Sequence, residues 1–164
     1  MSIENIKQLM DGVDIAALLP NIDTILRFVG IVTRIAMMAG PVVLLFLGLH
    51  YFLLAPKEAN YTTGYRFRWG MASVESWRFM QRVAGTVWTA LGLGLVIAMG
   101  ILLGSLGEIE IMDLLWLAVN RLLMQAAWAL GSCVIIDLIV FLFYDRKGKR
   151  RISWWEMFRP SNQF

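Results

Sequence analysis

Two side chains in the apolar part of this 164-residue chain carry chemistry that hydrocarbon tolerates poorly. His50 lies in "LLFLGLHYFLLAP" and Asp137 in "GSCVIIDLIVFLFY". An ionisable group inside a membrane is costly and finds a partner. Counted inward from Ile35 and from Leu122, each lies about 15 residues along its segment, which is about 22 Å of helix. Two parallel helices would bring them to one depth, near Thr86, Trp88 and Thr89 of the segment between. His50 and Asp137 then form an intramembrane polar pair that either passes a proton or cation or ties two helices by a hydrogen bond. The structural reading is favoured, because one acid and one imidazole do not define a path across a bilayer. Little else in the chain is reactive. One histidine and one cysteine make no His/Cys metal site, and Cys133 has no partner for a disulfide and reads as a packing residue. There is no Gly-x-Ser-x-Gly elbow and no phosphate loop. The expectation is a protein that is not an enzyme, with no catalytic residue, no metal and no cofactor.

The elements that hold these groups follow from composition. The chain is 59% hydrophobic and 16% charged, against about 25% charged in a soluble domain, so an all-α membrane protein is expected. Spans need about 20 apolar residues. Three stretches qualify, at about 35–56, 83–106 and 122–144. Pro41 falls inside the first, where a kink is tolerated if a neighbouring helix satisfies the freed carbonyl. Thr24–Arg34 and Ile111–Arg121 read as amphipathic lead-ins to the first and third spans. Residues 1–20 read as an N-terminal amphipathic helix, with Ile3, Ile6, Leu9, Met10, Val13 and Ala17 at helical spacing and Pro20 as its end, and no cleavable signal is evident. The organisation is thus a 1–20 helix, a 21–146 membrane domain with a 57–82 loop, and a basic, aromatic 147–164 tail.

Charge sets the direction. The loop after span one holds Lys57, Arg66, Arg68, Arg78 and Arg82, and the tail begins "DRKGKRR", whereas the loop between spans two and three is the acidic "GEIEIMD". Basic residues stay on the cytoplasmic side, so the 57–82 loop and the C-terminus face the cytoplasm and the N-terminus lies outside. The net charge of +3 is then explained by topology and by anionic lipid at the basic loop and tail, where Trp154, Trp155 and Phe158 rest at headgroup level, and nucleic acid is not an expected partner. Near the outer edge, Arg34, Asn120 and Arg121 face Glu108, Glu110 and Asp113. Span two carries small residues at Ala90, Gly94 and Ala98, then Gly100 and Gly104, a stripe that permits close helix approach. Packing against spans one and three is favoured over a homodimer seam.

The most patterned stretch is polar: "NYTTGYRFRWGMASVESW", residues 60–77. Asn60 can start a turn. Gly64 supplies positive φ or a close backbone approach. Ser73 reads as the N-cap of the second span, Glu75 meets the positive end of its helix dipole, and Trp77 enters at interface depth. Arg66 and Glu75 have opposite charge and can pair across the loop. Capping explains much of this, yet Tyr65, Arg66, Arg68 and Trp69 also offer donors and stacking faces to an anionic partner. Tyr65, Arg66, Arg68, Glu75 and Trp77 are expected to form a cytoplasmic-face recognition surface organised by Asn60, Gly64 and Ser73.

Asn60-x-x-x-Gly64-Tyr65-Arg66, then Ser73-x-Glu75-x-Trp77, then Gly85, resembles the SdpI family of bacterial membrane proteins over about Pro56–Leu106. "FRWGMA" stands where a Thr-Pro turn is expected, and the extra membrane region of longer members is lacking. The resemblance implies a non-catalytic protein of the bacterial inner membrane. It also implies immunity to a peptide toxin made by sibling cells, or a receptor that holds a soluble regulator at the membrane. Two other readings stay open: an accessory subunit packing with a membrane-protein partner in a larger complex, and a small proton-coupled transporter built on His50 and Asp137.

Overall fold

The computed structural model describes residues 15–59 and 62–151, with side chains from residue 21 onward. Three helices account for most of them: α1 (Ile15–Leu53), α2 (Val74–Ser105) and α3 (Ile111–Phe143). All three are long and apolar enough to cross a membrane. A 32-residue helix such as α2 is about 48 Å long, well beyond the ~30 Å hydrocarbon core. The helices therefore tilt or carry turns past the hydrocarbon. The lead-in at Thr24–Arg34 lies within α1, and that at Ile111–Arg121 forms the first turns of α3 itself. Helix α1 also runs through Pro20, where the sequence pattern placed an end; a proline removes one helical hydrogen bond and leaves the neighbouring bonds in place. Residues 1–14, Asn60 and the tail aromatics Trp154, Trp155 and Phe158 lie outside the described residues.

Helices α1 and α2 run antiparallel and nearly touch backbone to backbone. A Cβ added at Gly85 would lie 2.6 Å from the Phe52 nitrogen, one at Gly92 would lie 2.5 Å from the Leu45 nitrogen, and one at Gly48 would meet the Thr89 backbone. Such approach gains dispersion contacts where no hydrophobic effect favours association. The stripe at Ala90, Gly94, Ala98, Gly100 and Gly104 plays no part in it. Both alanines are exposed, and nothing among the described residues lies within 4 Å of a Cβ added at Gly94, Gly100 or Gly104. The expected intramolecular seam is thus on another face of α2, set by Gly85, Thr89 and Gly92.

Helix α3 is tied to α1 by a polar contact with a clear cause. Pro41 has no N–H, so the Met37 carbonyl one turn back loses its helical donor. Gln125 of α3 replaces it, Nε2 donating to the Met37 oxygen at 2.9 Å. Around this bond Met37, Met99 and Ala118 form a small core with Met38, Leu102, Leu103 and Leu117. A second core gathers Trp77, Met80 and Val140 where the 54–73 loop meets α2 and α3.

Candidate functional site

The loop corner grows from one face of α2. Ser73, Trp77, Gln81 and Gly85 recur every four residues, so they stack along one side of the helix. Ser73 is the N-cap in extended conformation (φ −149°, ψ 161°). Its hydroxyl accepts the Ser76 N–H at 3.1 Å, while the Ser76 hydroxyl accepts the Ser73 N–H at 3.1 Å. This two-way cap satisfies two backbone donors. One turn on, Trp77 is fully buried and its Nε1 donates to the Pro56 carbonyl at 2.8 Å. Gly64, at φ +105°, lies against that indole; a Cβ there would sit 2.8 Å from Trp77 Cζ2. Both properties expected of Gly64, positive φ and close approach, are used.

Gln81 holds the next residue in place. Its Oε1 accepts the Tyr65 N–H at 2.9 Å and its Nε2 donates to the Tyr65 carbonyl at 2.7 Å. A side-chain amide thus pairs with both polar groups of one loop residue, as a neighbouring strand would. So held, Tyr65 points between α2 and α3. Its hydroxyl donates to Asp137 Oδ1 at 2.7 Å and approaches the Cys133 carbonyl at 3.2 Å. Its ring meets Trp88 edge to face, centroids 5.4 Å apart, and Trp88 Nε1 donates to Ser132 Oγ at 3.0 Å. Burial drives the Tyr65 phenol far above its ordinary 10.0, and the Asp137 carboxylate that accepts its proton adds to the rise.

The chain after α3 closes the corner. A tight turn at Asp145–Gly148, with Gly148 at φ +72°, folds back so that Tyr144 and Arg150 form an antiparallel bridge. Asp145 Oδ1 accepts the N–H groups of Lys147 and Lys149, each at 2.8 Å, and these bonds, that of Lys149 foremost, lower its pKa. The turn presents the Gly148 carbonyl to the Ser73 hydroxyl at 2.9 Å. Tyr144, buried at the end of α3, donates its hydroxyl to Glu75 Oε1 at 3.2 Å. Its phenol is raised by burial first and by Glu75 second.

Two expected pairs take other partners. Glu75 receives Tyr144, and Arg66 is exposed with no hydrogen bond or ion pair among the described residues. Asp137 receives Tyr65, and His50 is exposed, edge to face with its neighbour Tyr51 at 5.7 Å. Depth is not the reason: His50 lies three residues before the end of α1 and Asp137 six before the end of α3, about one turn apart along parallel helices. His50 is exposed, and the inward-folding loop supplies Tyr65 to Asp137 instead. Of the proposed recognition residues, Gly64, Tyr65, Ser73, Glu75 and Trp77 build the corner from inside. Arg66 and Arg68 stay outside it. Asp137 and the corner residues form one connected arrangement. The sequence reading missed Gln81, Ser76 and Tyr144. Gln81 alone carried a signal, since it completes the four-residue spacing between Trp77 and Gly85.

Three long apolar helices, one capped on a loop that is hydrogen-bonded into the bundle, define a multi-span α-helical membrane protein. The SdpI/YfhL protein family model matches residues 57–145, from the start of the loop to the end of the Tyr144 corner and more than half of the chain, and the protein belongs to that family. No curated protein and no solved structure matches it.

Proposed function

We infer that this SdpI/YfhL-family protein is a non-catalytic component of a bacterial cytoplasmic membrane, placed N-out and C-in. It serves in toxin immunity or membrane signal transduction through its loop corner. The basic loop and tail against the acidic 107–113 connection support the orientation. Single cysteines at Gly107 and Lys149, in a Cys133→Ala background, are expected to label from opposite sides; labelling from one side overturns it.

The observation that carries the functional reading is Arg66. Its backbone neighbour Tyr65 is fixed at three points, while its own guanidinium is exposed and has no hydrogen bond or ion pair among the described residues. A rigid corner thus presents a planar fork of donors toward the cytoplasm, suited to a carboxylate or phosphate on a toxin or soluble regulator. Arg66→Lys keeps the charge and loses the fork. It is expected to weaken protection or partner capture while membrane abundance stays constant. Falling abundance with unchanged activity per molecule overturns the reading.

An accessory-subunit role is the second reading, favoured by the open face at Gly94, Gly100 and Gly104. Co-purification of another membrane protein that is lost on Gly100→Leu supports it. The transporter reading needs His50 and Asp137 to work together, and each has a different neighbour.

A further inference from the structure

The side of the corner away from α1 gathers positive charge around one indole. Trp69 lies on Phe141 near the end of α3, ring centroids 4.4 Å apart at 25°. Arg146 and Arg151 each place their guanidinium carbon 5.8 Å from the Trp69 centroid, and Arg151 is also 5.1 Å from that of Phe141. Arg68 joins Trp69 and Arg146 in lining a recess of about 440 Å³. All three arginines are exposed, and among the described residues none of their side chains forms a hydrogen bond or an ion pair. Asp145 acts on Arg151 only through space, its carboxylate being held by two backbone N–H groups. Cation–π attraction at an exposed ring is weak and leaves the charges uncompensated. Two guanidinium groups over one ring, with a third lining the recess beside it and none hydrogen-bonded or ion-paired among the described residues, call for an anion.

The surface next to the cluster says which kind. Leu138, Phe141 and Leu142 lie on one face of α3 and are 54%, 38% and 55% exposed. In a bilayer this face meets acyl chains, and the arginines sit where α3 ends, at headgroup depth. The matching occupant is polar and anionic at one end and apolar along its length. The geometry points to a binding site for an anionic phospholipid, its phosphate among Arg68, Arg146 and Arg151 over Trp69 and its chains along Leu138 and Leu142. Guanidinium groups match phosphate oxygens two at a time. A zwitterionic headgroup would bring an ammonium into the same cluster, where it is repelled. This site uses none of the groups that carry the Arg66 reading, so either can fail without the other.

The test uses the full chain in bilayer discs of mixed phosphatidylglycerol and phosphatidylcholine, with retained lipid identified by native mass spectrometry. Wild-type protein is expected to retain phosphatidylglycerol preferentially, less so at high salt. Arg68→Gln with Arg146→Gln is expected to lower that retention by about fivefold for each arginine removed, with phosphatidylcholine unchanged. Both side chains are exposed and form no hydrogen bond or ion pair among the described residues, so the fold is expected to stand. Trp69→Leu is expected to lower retention less, because the charges remain. Arg82→Gln, an exposed cation on α2, is expected to leave it unchanged. Wild-type retention in the double variant overturns the site. An equal loss in the Arg82 variant reduces it to general surface charge and also overturns it. Displacement of the lipid by excess inorganic phosphate alone would mark a simple anion site and overturn the role given to the α3 face.

Discussion

The two ends of the bundle are built by different means. At the loop end, α2 starts in a two-way serine cap, Gln81 and Trp77 hold the loop by its backbone, and the turn after α3 bonds back to Ser73. At the other end α3 starts at Glu110 with no side-chain bond to its free N–H groups. Residues 106–110 join α2 to α3, and a recess of about 680 Å³ opens between Arg27, Arg34, Glu108 and Glu110. Toward that end, nothing among the described residues lies within 4 Å of a Cβ added at Gly94, Gly100 or Gly104 of α2. Lipid tails are as apolar as the side chains they would replace, so apolar burial cannot by itself hold such helices in one arrangement. Directional hydrogen bonds and backbone proximity can. The chain concentrates both at the loop end and leaves the far end to its methionine core and the Gln125 bond.

Substitutions that treat the two ends alike put this contrast at risk. The largest effect is expected from Gly85→Leu, since even its Cβ would lie 2.6 Å from the Phe52 nitrogen. Overpacking of this kind costs about 3 kcal/mol or more, read as a fall in the thermal midpoint in detergent. Gln81→Leu strips the Tyr65 N–H and C=O of their partners, a loss of about 2 kcal/mol; faster hydrogen exchange at the Tyr65 amide separates it from a general loosening.

Tyr65→Phe removes one hydrogen bond to a carboxylate, about 1.5 kcal/mol, and also changes the response to alkali. The folded-state pKa of Tyr65 is raised above 10.0. Its contribution is therefore complete below the unfolded value and is lost as pH rises through the folded one. Wild-type protein is expected to lose stability above about pH 10, and the variant to start lower but fall less steeply there. Parallel slopes would remove Tyr65 as the cause. Tyr144, shifted in the same direction, contributes to the slope that remains. The smallest effect belongs to Gly104→Leu, within about 0.5 kcal/mol. A loss equal to that of Gly85→Leu would erase the distinction between the ends.

The sequence made the spans legible because hydrocarbon thickness translates directly into residue count. The Ser73 cap and the Gly64 turn were legible for a similar reason: each is a local requirement met by residue type. Partners were not. Charge suggested Arg66 with Glu75, yet the Glu75 oxygen meets Tyr144 at the end of α3, 69 residues on in the chain. Depth suggested His50 with Asp137, and both do lie near the loop end of their helices, but depth says nothing of direction: His50 is exposed, and the loop dips inward to supply Tyr65 to Asp137. The glycine stripe misled as well. Small residues permit close approach on any face, and Gly92 was used while Gly94, two residues on and pointing elsewhere, was not.

The Pro41–Gln125 contact also sets a schedule. The Met37 carbonyl waits for a donor 88 positions later in the chain. At about 5–20 residues per second, roughly 4 to 18 seconds of synthesis separate the two. Through that interval α1 and α2 can pair while one carbonyl stands unsatisfied in hydrocarbon, at a cost of several kcal/mol. A full-length Gln125→Leu chain keeps that defect after synthesis is complete. Pulse–chase turnover of this variant is expected to be faster than that of wild-type protein, and equal lifetimes would show that the unsatisfied carbonyl has no consequence for the chain's lifetime.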